Sequence, residues 1–413
     1  MHFWIINLFS DFPNEGAAEG RFLTLAKTLS ELGHSVTWWT MDFHHRTKSY
    51  RHKTLFAEAE QLLHSNAKHQ SISLRGIPVP TYKNNISFRR LYSHRAFARK
   101  LAQTATKLPN GQSPSAIIAS SPPPDVALSA IQLGEFFHCP VTVDLTDLWP
   151  NTFERIFPGP KKTQRSLGSI FLFPLYRKAH RIYREANLVS AVSAEYLEKV
   201  KHIAPTQKTH LCYIGGDVRK PSLRPASESP TTHFLYVGAL TQSYDLGTII
   251  RAAAILKEKK NPFEVHFAGS GNQENSLQSL ASQLGVGEIC QFHGFLNSEK
   301  LKDLLDSCDV GLNCILPGLD ITMPHKLSDY ICSGLPVINS LPGEAQSLLV
   351  NWQCGIFYQA GNAPSLSSAM LSLAQKDQRQ NASVNAQNLA RNLFDRSESY
   401  LRWAERIIAL NDE

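Results

Sequence analysis

Residues 323–338, MPHKLSDYICSGLPVI, gather residue types able to hold a phosphorylated ligand. Pro324 suits the opening of a helix, and Gly334 with Pro336 suits its end before a strand. On that helix Lys326 and Asp329 are three apart and His325 and Asp329 four apart, so their side chains share one face. A lysine in the first turn opposes the helix dipole and makes sense if an anion sits there. A diphosphate would satisfy both the lysine and the helix end, and Asp329, a turn deeper, would accept hydrogen bonds from ribose hydroxyls. The plain alternative is a surface Lys–Asp pair worth about 0.3–0.5 kcal/mol. A second cradle is FEVHFAGSG at 263–271, where a strand ends in Gly269 and Gly271 and feeds a helix. Glycines there let backbone N–H groups approach a ligand, although tight strand-to-helix turns also need glycine for structure alone.

In the first half the small residues of 14–20, NEGAAEG, leave room for a ligand near Gly16. Ser120 opens SSPPP, and Asp144 and Asp147 lie in DLTDLWP. Each follows a strand, at the edge where α/β sites are built, so these three are acceptor-side candidates; helix capping is an equal alternative for either aspartate. The sequence holds no D-x-D, no G-x-x-x-x-G-K-[ST], no H-E-x-x-H and no G-x-S-x-G. No metal site is expected.

The elements that must hold these residues follow from apolar periodicity. Residues 3–9 read as a buried strand, 20–32 as an amphipathic helix stopping at Gly33, and 35–40 as the next strand. Strands at 117–119, 141–145 and 188–192 continue the series, while 48–106 reads as mainly helical and basic. In the second half, strands at 234–237, 265–268, 290–293, 310–314 and 336–339 alternate with helices at 246–259, 275–284, 299–307 and 325–332. Residues 364–411 read as a mainly polar helical tail. Such alternation implies α/β architecture with two doubly wound parallel sheets. The expected domains are 1–214, with a basic helical insertion at about 45–110, and 233–392, joined by the Gly/Pro/Ser-rich 215–232. A last helix at 393–413 is a candidate to return to the first domain. Two such domains would meet across a cleft at the carboxyl ends of their strands.

Composition narrows the classes. The chain has 413 residues, 42% hydrophobic, with Gly and Pro at 23 each, which disfavours collagen-like or disordered chains. Seven cysteines without a C-x-x-C pair suggest reduced core thiols in a cytoplasmic protein. The opening MHFWIINLFSDFP lacks the basic start and small-residue cleavage site of a signal peptide, and no apolar run of about 18 residues suggests a membrane span. Charge is uneven: residues 1–210 hold 26 Lys/Arg against 15 Asp/Glu, and 211–413 hold 16 against 20. Two acid-free basic stretches, 61–124 and 155–184, are interleaved with Tyr82, Phe88, Tyr92, Phe97, and with Ile170, Phe171, Leu172, Phe173 and Tyr176. They are expected to lie on an anionic membrane surface, giving a peripheral protein on the inner face of the cell membrane. Nucleic acid is the competing but unexpected partner.

Taken together, YVGAL (236–240), FAGSG (267–271), residues 292–312, PHKLSDYICSGLPVI, DLTDLWP and ANLVSAVSAEYLEKV (186–200) resemble retaining glycosyltransferases of the GT-B fold, glycosyltransferase family 4. DLTDLWP in particular is similar to members that build bacterial surface polysaccharides. The resemblance implies metal-independent transfer of a hexosyl or N-acetylhexosaminyl group from a nucleoside-diphosphate sugar, with no further cofactor, to a lipid-linked or saccharide acceptor. It implies that Asp329 holds the ribose, Lys326 and Gly16 the diphosphate, and Phe292, His293 and Gly294 the base. Gly238 and Tyr244 fall in the loop after the first strand of the donor domain, where Ala239 stands in place of the family's arginine. The family's first acid falls at Ile321, leaving Asp320, one residue before, as the nearest catalytic candidate beside Lys326. A catalytically silent partner subunit and a nucleotide-sugar 2-epimerase are the alternatives.

Overall fold

The computed structural model describes the chain apart from residues 10, 16–18, 86, 110, 158, 160, 219–229, 260 and 320. It divides into two units, Met1–Cys212 with Tyr400–Glu413, and Tyr213–Ser399.

The first unit is built on β1 (His2–Ile6), α1 (Arg21–Glu31), β2 (Ser35–Met41), α2 (Lys53–His64), β3 (Ile72–Ile77), α3 (Phe88–Ala105) and β4 (Ala116–Ser121). It continues through α4 (Pro124–Phe137), β5 (Val141–Leu145), α5 (Lys161–Phe171), α6 (Phe173–Glu185), β6 (Leu188–Ala191), α7 (Ala194–Ile203) and β7 (Thr209–Leu211). The strands form one parallel sheet in the order β3-β2-β1-β4-β5-β6-β7. β1, β4 and β5 are buried along almost their whole length, as strands covered on both faces must be.

The second unit repeats the plan with β8 (Thr232–Val237), α8 (Leu246–Lys257), β9 (Phe263–Ala268), α9 (Glu274–Gln283), β10 (Cys290–Gly294), α10 (Ser298–Ser307) and β11 (Val310–Asn313). There follow α11 (His325–Cys332), β12 (Val337–Asn339), α12 (Glu344–Asn351), β13 (Gly355–Phe357), α13 (Ala363–Ala374), α14 (Lys376–Leu389) and α15 (Arg396–Ile408), whose residues from Tyr400 onward pack in the first unit. Its parallel sheet runs β10-β9-β8-β11-β12-β13. Both sheets reverse strand order beside their first strand, at β1/β4 and β8/β11, where open α/β sheets bind ligands.

Three readings of the sequence are corrected. The basic stretch 48–106 is not purely helical: β3 pairs with β2 from Val36↔Ile72 to Met41↔Ile77 and forms the sheet edge. Its alternating burial is that of an edge strand, and Gly76 leaves the space filled by the Phe56 ring, which a Cβ would approach to 2.6 Å. The region after 363 is not simply a polar tail, because α13 buries Leu366, Ala369, Met370 and Leu373 in the core shared with α8. Of the aromatics in the first basic stretch, Tyr82 and Phe97 are core residues, whereas Phe88 and Tyr92 are exposed. The three-residue strands β7 and β13 were too short to leave an apolar run. All seven cysteines are free, and no helix among the described residues is long and apolar enough to cross a membrane.

Candidate functional site

In the second unit the site grows from the β8/β11 switch point. Tyr330 of α11 fixes the helix there: its hydroxyl accepts a hydrogen bond from the Val237 amide at 2.7 Å and donates to the Leu312 carbonyl at 3.3 Å. The ring fits because residue 311 is glycine; a Cβ there would lie 2.5 Å from it. So anchored, α11 starts at His325 behind Pro324, with no side-chain cap hydrogen bond at its N-terminus.

Lys326, in that first turn, is 8% exposed. Its Nζ lies 4.3 Å from the centre of the Tyr236 ring and 3.9 Å from that of Tyr244, and has no hydrogen-bond partner. Burial pushes its pKa down to about 7. The ammonium also abuts the turn after β8, since a Cβ on Gly238 would lie 3.3 Å from Nζ. Tyr236 reinforces that turn by donating to the Ala239 carbonyl at 3.0 Å.

Gly238, Gly269 and Gly271 bring two strand ends together backbone to backbone. The Gly238 amide donates to Ala268, Leu240 to Ser270, and Gly269 to Gly294, at 2.8–3.0 Å. A Cβ on Gly269 would lie 1.9 Å from the Gly238 carbonyl oxygen, and one on Gly271 2.2 Å from that of Leu240. For Gly269 and Gly271 packing alone therefore requires glycine. Between these turns and Phe295, Leu296 and Leu301 lies a cavity of about 300 Å³ with a mostly apolar lining. Gly238 lines it and also lies against the Lys326 ammonium, so a group in the cavity would place an anion attached on the Gly238 side near that ammonium.

Asp329 is a half-buried carboxylate on α11. Burial raises its pKa to about 6, with Arg396 pulling the other way. Lys326 and Asp329 thus occupy one helix without forming an ion pair, unlike the plain surface alternative. His325 is exposed at the start of α11. Phe292 and His293 go to opposite sides of β10: Phe292 stacks on Phe267 with centroids 4.8 Å apart, and His293 stacks on His266. Gly294 takes a positive φ with open space around it. Gly16 and Asp320 lie outside the described residues.

In the first unit, the acceptor-side candidate Asp144 is taken up by the chain's own groups. Asp144 is fully buried, and its two oxygens accept from Arg21 Nε and Nη2 at 2.8 Å and from Ser190 Oγ at 2.7 Å. Asp147 accepts from the Leu148 amide and from Thr152 Oγ1, tying down the following turn. Ser120 is buried at the end of β4 with an unpartnered hydroxyl. The sequence reading missed the cluster formed by Phe9, His45, Tyr82, Arg90, His94 and Trp149. His94 is buried, meets Phe9 and Tyr82 edge-on and Trp149 at a tilt, and has no hydrogen-bond partner on either ring nitrogen. Burial, then Arg90 and His45, push its pKa down to about 3, so it is neutral. The Arg90 guanidinium lies between the Phe9 and Trp149 rings at 5.4 and 5.3 Å from their centres. The i,i+4 spacing of Arg90 and His94 on a helix was the available signal; the partners came from other elements.

The two parallel sheets of seven and six strands, each with its helices, give the chain a two-domain GT-B fold. Residues 221–389 match the family described as Glycosyl transferases group 1. Among curated proteins the chain is similar to the amylovoran biosynthesis glycosyltransferase AmsK of Erwinia amylovora, 27% identical over 201 residues, 47% of this chain and 49% of AmsK. It spans about half the length of the curated relatives it matches. Among solved structures, sucrose-phosphate synthase from Thermosynechococcus elongatus aligns with a TM-score of 0.68 at 16% identity, over 99% of this chain and 98% of that one. HepE of Anabaena, solved in complex with UDP, aligns with a TM-score of 0.63 at 17% identity, over 99% of this chain and 100% of that one.

Proposed function

We propose that this chain is a retaining glycosyltransferase, moving a sugar from a nucleoside-diphosphate sugar to a hydroxyl of a lipid-linked or saccharide acceptor in surface-polysaccharide synthesis. The observation that carries this is the buried, unpartnered Lys326 ammonium at an uncapped helix N-terminus beside an apolar cavity. A cation in that setting lacks only its anion, and a buried charge without one is costly. The UDP in the HepE structure and the biosynthetic role in the name of AmsK support the reading. In it the base enters the cavity near Gly294 and Phe295, Asp329 accepts from the ribose, and the diphosphate meets Lys326 and the α11 amides.

The chemistry then needs little else from the donor side. Positive charge on Lys326 and the helix end stabilises the diphosphate as it leaves. The acceptor hydroxyl attacks from the same face, and a departing phosphate oxygen takes its proton. On the acceptor side, the aromatic rings around Arg90 and the neutral His94 offer stacking surfaces and hydrogen-bonding nitrogens to a sugar or its diphosphate. Calorimetry with UDP, GDP and ADP, followed by NMR of the product's anomeric centre, tests both parts. Binding of one nucleoside diphosphate and a product that keeps the donor's anomeric configuration are expected. Absence of binding to all three removes the donor site, and an inverted product removes the retaining mechanism.

Membrane attachment is part of the same proposal. Ile170, Phe171 and Phe173 are 56–67% exposed at the α5–α6 junction, followed on α6 by Arg177, Lys178, Arg181 and Arg184. Basic residues near an anionic leaflet contribute about 1 kcal/mol each. Flotation with phosphatidylserine-containing vesicles, lost in an Ile170→Ser/Phe171→Ser/Phe173→Ser variant, is the expected result; equal recovery with neutral vesicles overturns it.

A further inference from the structure

Three histidines from neighbouring strands stack across the second unit's sheet: His233 on β8, His266 on β9 and His293 on β10, with ring centroids 5.3 Å apart at each step. Nδ1 of His233 lies 3.1 Å from Nε2 of His266, and the other nitrogen of His266 lies 3.0 Å from Nε2 of His293. Glu264, two residues before His266 and so on the same face of β9, brings Oε2 to 3.5 Å from His266 Nε2 and 3.7 Å from His233 Nδ1. Two imidazole nitrogens and a carboxylate oxygen thus form a triangle with edges of 3.1, 3.5 and 3.7 Å. Around a tetrahedral ion with ligands at about 2.0–2.1 Å, adjacent donor atoms lie about 3.3 Å apart. The triangle is one face of that tetrahedron.

We propose that His233 Nδ1, His266 Nε2 and Glu264 Oε2 bind one divalent transition-metal ion of the zinc class, with water in the fourth position and His293 orienting His266 from behind. Two imidazoles and one carboxylate suit such an ion and not Mg²⁺ or Ca²⁺, which prefer all-oxygen shells. A ligand histidine held through its second nitrogen is the usual arrangement in metal sites. Glu264 is 40% exposed, which gives an ion a path from solvent.

The other group of suitable residues, Asp11, Glu15 and His44, does not compete. There Arg51 donates to both oxygens of Glu15, and Arg46 lies 3.3 Å from Asp11, so guanidinium groups already neutralise the carboxylates. In the histidine group the described residues place no arginine or lysine on Glu264. The position also explains what an ion would do. β10 is the sheet edge, and its pairing with β9 shifts register between Phe292 and Gly294. An ion across β8 and β9, with His293 bonded behind it, pins that edge.

The test uses the full chain, stripped with chelator and then titrated with Zn²⁺, Mg²⁺ and Ca²⁺ near neutral pH. Calorimetry, metal content and the unfolding temperature are read. One Zn²⁺ per chain and a raised unfolding temperature are expected, with neither effect from Mg²⁺ or Ca²⁺. His233→Ala/His266→Ala should abolish binding. Glu264→Gln, at a solvent-exposed carboxylate outside the core, should weaken it by about tenfold or more while leaving nucleoside-diphosphate binding unchanged. No zinc bound by the wild type, or equal binding by Glu264→Gln, overturns the site. So does zinc binding lost in Glu15→Gln but kept in Glu264→Gln.

Discussion

Each unit buries one cation in the first turn of a helix at the reversal point of its sheet, and the two are treated in opposite ways. Arg21, the first residue of α1, makes two 2.8 Å bonds to Asp144, donates to the Cys212 carbonyl, and lies 4.2 Å from the centre of the Trp403 ring. Although burial alone would lower it, the Asp144 charge holds its pKa well above the ordinary arginine value. Lys326, the second residue of α11, has two aromatic faces and no acceptor, and burial, with Cys314 pulling the other way, moves its pKa down to about 7. The first cation is architecture, closed by its own chain. The second is left open, and a buried ammonium without an acceptor marks where an anionic ligand belongs.

The comparison breaks most easily in the first unit. Asp144→Ala leaves the Arg21 guanidinium buried without its counter-charge, and should destabilise that unit by about 3–5 kcal/mol in denaturant unfolding. Arg21→Met/Asp144→Leu, which removes both charges, should restore most of the loss. If Asp144→Ala is neutral, the pair is not what holds α1 to β5.

The second unit should respond in reverse. Lys326→Met removes a charge that nothing in the chain compensates, so stability should hold or rise. Nucleoside-diphosphate binding, by contrast, should lose a charge-assisted hydrogen bond of about 1.5–3 kcal/mol, or about 10–150-fold in Kd. A variant that unfolds while still binding would invert the two roles.

The difference between the cations was only partly readable from sequence. The span of α11, 325–332, and its lysine followed from local signals, because Pro324, Gly334 and Pro336 punctuate the chain on either side. That Asp144 is consumed by Arg21 depends on a contact across 123 residues, which no spacing encodes; the same aspartate therefore read as an acceptor-side candidate. The glycines at 269 and 271 were correctly read as sites of close approach, but the approaching group is the neighbouring turn itself. The cluster around His94 and the histidine ladder share the reason for their invisibility. Strand register and helix packing align residues that are 27 to 85 positions apart, and those alignments exist only once the sheets are formed. β3 was missed because an edge strand needs only one buried face, and its Arg75 and Gly76 weakened the apolar run.

The smallest expected effect tests the open cation through its proton. In the folded chain Lys326 titrates near 7, while in the unfolded chain it keeps its proton up to about the ordinary lysine value. Between those limits the unfolded state binds more protons, so this group makes stability rise with pH across the window and fall as pH drops toward 7. A bound diphosphate favours the ammonium and reverses the bias. Above pH 7, where a terminal phosphate with a second pKa of about 6 is already ionised, binding must therefore draw a proton from solvent. The affinity should then fall by up to about tenfold per pH unit. Calorimetry in two buffers of different ionisation heat reads that uptake directly, and Lys326→Met should abolish both the uptake and the slope. An affinity that stays flat above neutrality in the wild type would mean that the diphosphate rests elsewhere, and Lys326 would then be a buried charge with no ligand to explain it.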